Sequence, residues 1–553
     1  MDRNTLTALL LITVVLILTP YYMDLISPPQ NINRDLLEGD FVENRDSDQT
    51  TRDTATGFKN VLPQEQVSTV EKTTVVESDL FIAKISSFFG GSIVSFKIKD
   101  HLLYDSSLVN LITDENKNNL IISFKNLDGE IVDLKNGWSS LRPIDSLYLS
   151  SEPYTVKYEN YIDNKKVTKT ITFYPGEFLM DVEIDISELS KNTLVNNFSL
   201  NWNGGLPPTE QDTVGEQTFF GAYLYQGGEL LDVKVGSGES FNNSYKGQTD
   251  WVAARSKYFV VSFLDELGDQ ITGSWVAASF EKNELYSFGV DLETNKVANI
   301  SVYLGPLEYD RIKALDINLE SIMNFGWAII RPIAKGVLWT LTSMQTLIPN
   351  YGVVLILFSI MVKLLVYPLT KKSYQSTQAM QAIQPEINNL REKYKNNPTK
   401  LNQATMELYK KRGVNPLGAC FPMLLQMPLL ISLFTVFRST IELRGEPFVF
   451  WIRDLSAPDI IFNLPFKVPI YGNYVCALPI LMALSMYAQQ KMMAPSGPGP
   501  QQQQQKIMQY FMMGFFFLLF NSFPSGLNLY YTLFNVLTIV QQKLTGAAQQ
   551  KQV

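Results

Sequence analysis

Lys363 stands inside an otherwise apolar run, Tyr351–Leu369 (YGVVLILFSIMVKLLVYPL). The run has the length of a bilayer span, about 20 apolar residues. A charge at mid-membrane costs about 2.5–3.5 kcal/mol on insertion scales. Such a charge is tolerated where it faces water or a partner inside the membrane. It is also tolerated where its stem reaches the interface. From Lys363 to Thr370 is roughly 10 Å of helix at about 1.5 Å per residue, and a lysine stem covers part of that. Position alone leaves both readings open.

The charge distribution says what surrounds this run. Residues 321–553 hold 20 Lys+Arg and 7 Asp+Glu, a net of +13. The totals of 46 and 54 leave 26 basic and 47 acidic residues in 1–320, a net of −21. The basic half is also the apolar half, which points to a membrane rather than to nucleic acid. No zinc-finger or RNA-binding signature is present, so no nucleic-acid sequence recognition is expected. The two cysteines, Cys420 and Cys476, lie in apolar segments and form no C-x-x-C pair. No metal or cofactor is expected. The single histidine, His101, reads as an ordinary surface residue, and a Ser-His-Asp triad elsewhere is excluded.

The chain divides by composition. Leu6–Leu18 is nearly all apolar, and Thr19-Pro20-Tyr21-Tyr22 after it offers no small-residue cleavage site. We expect an uncleaved anchor over 1–26. Residues 27–78 are polar and read as a flexible linker. From 79 to 318 short alternating runs recur, among them Lys166–Tyr174 (KVTKTITFY), Asp181–Ile186 (DVEIDI) and Asn299–Leu304 (NISVYL), punctuated by Gly-Gly pairs. They predict an all-β sandwich of antiparallel strands. Residues 319–348 show helical spacing (Ile322, Phe325, Ile329, Ile333, Val337) and predict an amphipathic interfacial helix.

Five core spans are expected after it, at 349–370, 416–440, 470–490, 507–523 and 527–544. Residues 371–415 carry nine basic and three acidic residues, with apolar stripes at Ala379, Ile383, Ile387, Leu390, Tyr394 and at Leu401, Ala404, Thr405, Leu408. Asn396-Asn397-Pro398 marks a turn between them. This is a basic helical hairpin, placed in the cytoplasm by the positive-inside rule. Arg391, Lys393, Lys395, Lys410, Lys411 and Arg412 form its candidate docking surface. Residues 441–469 and the turn 524–526 then fall outside, and 491–506 and the tail 545–553 inside. The fold class is a polytopic α-helical membrane protein of six transmembrane helices, a five-helix core and an anchor, with both termini cytoplasmic.

These segments resemble the YidC-type membrane protein insertases (the YidC/Oxa/Alb family). The residues that carry the resemblance are Tyr367-Pro368-Leu369-Thr370-Lys371, Gln384-Pro385-Glu386-Ile387, Asn415-Pro416-Leu417-Gly418, Gln426-Met427-Pro428, Asp454-Leu455-Ser456, Phe523-Pro524-Ser525-Gly526-Leu527 and Tyr530-Tyr531. The sandwich resembles, more weakly, the large periplasmic domain of Gram-negative members, of sugar-mutarotase-like shape. The resemblance implies a hydrophilic groove within the inner membrane, open to the cytoplasm and lipid. It places Lys363, Ser359, Gln426 and Tyr531 on that groove as substrate-binding residues. Lys363 stands where the family usually has arginine, Ser359 where threonine is common, and Ser522 where an aromatic is usual. It implies no enzyme reaction and no cofactor. The implied partners are nascent membrane-protein substrates, the Sec translocon, the ribosome and signal-recognition machinery, and lipids. The implied function is insertion and folding of inner-membrane proteins, alone or with the translocon. Two other classes stay on the page: a transporter, for which no internal repeat is seen, and a membrane-anchored carbohydrate enzyme.

Overall fold

Period-two alternation decides the first half of the molecule. In the strand Lys165–Phe173, Val167, Lys169, Ile171 and Phe173 turn inward and are buried. The neighbouring strand Leu179–Asp185 buries Met180, Val182 and Ile184, and Ile171 lies opposite Val182. The computed structural model describes residues 71–140, 145–191, 193–234, 240–280, 284–395, 397–414, 421–468, 471–493 and 500–550. The expected anchor at 1–26 and most of the expected linker lie outside them.

Among the described residues, those up to Ile322 form one compact unit and those from Met323 a second. The first unit holds sheets of five, nine and six strands. Their inner faces meet through aromatics. Phe263, from the nine-stranded sheet, lies edge-on to Trp202 and Phe288 of the six-stranded one. Phe81 of the five-stranded sheet lies against Phe173 of the nine-stranded one. This is the expected β-sandwich region. It begins earlier than expected, because Thr73–Glu77 is already a strand, paired antiparallel with Phe81–Ser86 and parallel with Ser146–Tyr148. The run is short and polar-flanked, so its alternation of buried Thr74 and Val76 is visible only once partners are known. His101 is half-buried at the end of the strand Ser92–Leu102, between exposed Asp100 and Leu102, with its ring edge-on to Phe259.

Lys169 takes an inward position that the pattern reserves for an apolar side chain. Its ammonium is fully buried and donates to the carbonyls of Phe89 at 3.0 Å and Leu120 at 2.5 Å. Both acceptor residues have left-handed backbones, φ 55° and 52°. One nitrogen thus holds two strained segments from different parts of the sandwich.

The second unit is helical: α1 (Ile330–Gln345), α2 (Tyr351–Ala382), α3 (Gln384–Lys393), α4 (Pro398–Arg412), α5 (Phe421–Ser439), α6 (Ala477–Met493), α7 (Pro500–Phe520) and α8 (Ser525–Gln550). Start signals fit these bounds. The Asn350 side chain accepts the Val353 N–H at the head of α2, and Asn397 accepts that of Lys400 at the head of α4. Gly413, at φ 65°, closes α4 in the left-handed form that glycine adopts at little cost. By length and composition, Tyr351–Pro368 alone among the described residues is long and apolar enough to cross a membrane, and Tyr510–Phe520 is a shorter apolar helix.

Two expectations shift. The helix expected across 319–348 starts at Ile330, and its buried face is Ile330, Ala334, Val337, Leu338 and Leu341. Ile329, on the expected stripe, is exposed instead. The stripe is rotated because α1 packs against α5 and α2, which select the small and leucine-rich face. The span expected from 470 opens as a strand, Gly472–Cys476, paired with Ile460–Val468, and turns helical only at Ala477.

Lys169 yields a pH dependence. Burial pulls its pKa from 10.5 down to about 7. The folded state then holds fewer protons than the unfolded chain between those values, so stability rises with pH through that window and is lowest below it. The slope is at most about 1.4 kcal/mol per pH unit. Thermal melts of the full chain in detergent from pH 7 to 9 should show the rise, and Lys169→Met should flatten it.

Candidate functional site

The apolar run that carries Lys363 is the front half of α2. The helix passes Pro368 unbroken, and Pro368 has no N–H to return to the preceding turn. Thr370 beside it donates to the carbonyls of Val366 and Tyr367, each at 3.0 Å. Ser359, one turn before Lys363, is fully buried and donates back to the Leu355 carbonyl at 2.7 Å. Both hydroxyls are satisfied within α2, as polar side chains in apolar helices generally are.

Lys363 is only 6% exposed. Its Nζ donates to Thr538 Oγ1 on α8 at 2.7 Å and stands 4.5 Å from the centre of the Phe534 ring. Among the described residues no carboxylate lies within ion-pair distance of it. A hydroxyl and a ring face are therefore the whole of its recorded electrostatic support. Further along the same pair of helices, Gln541 donates to Thr370 Oγ1 at 3.0 Å. Asn535 of α8 donates to Ser485 of α6 at 3.1 Å. The seam between α2, α8 and α6 is thus polar along its length.

Part of that seam is short of partners. The hydroxyls of Tyr530 and Tyr531, the Asn528 Oδ1 and the Gln542 amide are buried without a hydrogen-bond partner among the described residues. A buried polar group left unpaired costs about 1–3 kcal/mol. Several such groups lie on one helix, α8.

The expected groove residues come together in part. Ser359 and Lys363 share one face of α2. Tyr531 lies on α8, seven residues before Thr538 and so close to the same line, with its ring edge-on to Phe520 and Tyr530. Gln426 is half-buried on α5, and no hydrogen bond links it to Lys363. Sequence reasoning missed Thr538, Phe534, Asn535, Gln541 and Ser485. A signal was available: Asn528, Tyr531, Asn535, Thr538 and Gln542 recur at steps of three and four, a polar stripe down an otherwise apolar helix.

The basic segment folds as expected into two helices, α3 and α4, although α2 runs on to Ala382 before them. Ile383, Ile387 and Val414 form its small core, with Ala379, Met380, Leu408 and Tyr409 packed against it. Lys393, Lys395, Lys410, Lys411 and Arg412 are exposed, and Arg391 is half-buried, near Asn388 at 3.5 Å. Arg412 pairs with Glu386 at 2.5 Å, and the Lys393 ammonium lies 5.5 Å from the Tyr394 ring. The pair is solvent-exposed and adds little stability.

A helical unit with a buried cation in a polar seam, joined to a β-sandwich, defines a membrane protein with a large appended domain. Residues 343–552 match the family model of the 60Kd inner membrane protein, and residues 73–340 that of the YidC periplasmic domain. A membrane protein insertase YidC from Chlorobium luteolum is 33% identical over 98% of this chain and 94% of its own. One from Chlorobium phaeovibrioides is 34% identical with the same coverage. A crystal structure of an active YidC insertase aligns with 85% of this chain and 94% of its own, at 17% identity and a TM-score of 0.35. The chain belongs to the YidC family of membrane protein insertases.

The hairpin core is small enough to test by one substitution. Ile387→Ala should loosen α3 from α4, at about 2–4 kcal/mol for a buried isoleucine. Limited trypsin digestion of the full chain should then cut faster at Lys393 and Lys395, with the sandwich unaffected.

Proposed function

We propose that this chain inserts membrane proteins by drawing a hydrophilic client segment into the seam around Lys363. The observation that carries this is the support of the Lys363 ammonium: one hydroxyl, one ring face and no recorded carboxylate. A cation so held lacks a counter-ion among the described residues, and an incoming Asp, Glu or carboxy-terminus supplies one. At an effective dielectric of about 20, two unit charges at 4 Å attract by roughly 4 kcal/mol. Part of that offsets desolvation. The unpaired hydroxyls and amides along α8 offer hydrogen bonds to the rest of the polar segment. The apolar part of the client then moves sideways into lipid, where burial favours it. No bond is made or broken, so no catalytic residue and no cofactor are needed.

The same reading orients the chain. The hairpin's excess of basic residues places it in the cytoplasm, with the sandwich on the periplasmic side of the inner membrane. With the expected anchor this makes six spans and cytoplasmic termini. The exposed cations of α3 and α4 suit the acidic surfaces of ribosomes and targeting factors, and equally anionic lipid headgroups. Cooperation with the Sec translocon and a role in folding inserted clients belong to this proposal.

The test is insertion into vesicles that hold the purified chain. Clients differ only in whether their translocated tail is acidic or neutral. Lys363→Ala should slow the acidic client about tenfold, equivalent to ~1.4 kcal/mol. It should leave the neutral client near its original rate, and Lys363→Arg should restore the acidic one. Equal rates for Lys363→Ala and the parent on the acidic client would remove the electrostatic step.

A further inference from the structure

Phe450 is 91% exposed and has a left-handed backbone, φ 62°. Large side chains adopt that conformation rarely and at a cost. An exposed phenylalanine held in it gains nothing from water. Its neighbours are exposed too: Val449 and Trp451 beside it, and Arg453 three residues on. The Phe450 and Trp451 rings stack, with centroids 5.9 Å apart.

The tip is not loose. The Phe448 N–H donates to the Ile452 carbonyl at 3.0 Å, and the Leu455 N–H to that of Glu446 at 3.0 Å. Ile452, Leu455 and Leu443 are buried beneath it. The segment also clamps three span ends. Phe448 packs on Gly352 at the head of α2 so closely that a Cβ there would stand 1.7 Å from its ring. The Leu455 and Ala457 carbonyls accept the N–H groups of Gly526 and Ser525, at the α7–α8 turn. Asp459 Oδ2 accepts the first N–H groups of α6, from Ala477 and Leu478, and also the indole N–H of Trp451 at 2.9 Å. The tip therefore sits where the spans end, on the side remote from the basic hairpin.

We propose that Val449, Phe450 and Trp451, with Arg453, are a lipid anchor seated in the interfacial layer of the leaflet remote from the basic hairpin. Exposed aromatic rings with an arginine nearby match the boundary between headgroups and acyl chains. Ile461, Phe462 and Phe466, exposed on the strand Ile460–Val468, extend the same apolar margin. Because the tip is braced against three span ends, its contact with lipid fixes the height of the whole bundle. The inference rests on α2 crossing a membrane.

The experiment is spin labelling of the full chain in vesicles of phosphatidylethanolamine and phosphatidylglycerol. The label goes on Phe450→Cys in a Cys420→Ser, Cys476→Ser background. Asp128→Cys on the sandwich serves as the aqueous reference and Leu364→Cys on α2 as the lipid reference. Collision with oxygen and with a soluble nickel chelate gives depth. The label at 450 should lie roughly 5–10 Å below the phosphate level, the depth of interfacial elements. A chelate-dominated label at 450, as at 128, would overturn the anchor. So would a label at 450 shielded from both agents, which would mean a docked protein. If the label at 364 is also chelate-dominated, the membrane reading of α2 fails as well, which separates the two ideas.

Discussion

The helical unit is organised around the desolvation of one ammonium. An apolar helix cannot hold a charge alone, and the chain meets this by lining the facing helix with groups that tolerate one. Thr538 supplies a lone pair and Phe534 a ring face, and further along the same pair of helices Gln541 donates to Thr370. Ser359 and Thr370 tie their own hydroxyls back to α2, so they sit on the seam without opening the helix.

Lys169 in the sandwich shows what the same side chain does when nothing is meant to arrive. It too has no carboxylate partner recorded, yet two fixed backbone carbonyls hold it and solvent is fully excluded. That is a permanent contact, and its effect is to pin two left-handed segments. Lys363 rests instead on a hydroxyl that is itself turned toward the Phe534 carbonyl, a weak and exchangeable support. On the proposed reading, the two lysines separate a structural from a receptive use of one chemistry.

Much of this architecture was legible in the residues. Alternation located the sandwich, because inward positions such as Val167, Ile171 and Phe173 are fixed by strand geometry. Charge bias and the Asn397-Pro398 start located the hairpin helices, because caps are local. What failed was information held by neighbours. The buried face of α1 depends on which helices it meets, so Ile329 was misassigned. The strand Gly472–Cys476 is as apolar as the helix that follows it, and only its pairing with Ile460–Val468 separates the two. At the site, Ser359 and Lys363 were readable as a pair one turn apart. Thr538 was not, since nothing in a linear pattern says which of several threonines lies opposite residue 363.

The continuity of α2 has a mechanical side. It runs without interruption from the bundle end near Phe448, past Lys363, to the foot of the basic hairpin. From Lys363 to Ala382 is 19 residues, roughly 28 Å of helix at about 1.5 Å each. A load placed on α3 and α4 is delivered along a single rod whose near end is anchored and whose weakest joint is Pro368. Torque at the basic hairpin and position of the buried charge are therefore one degree of freedom rather than two.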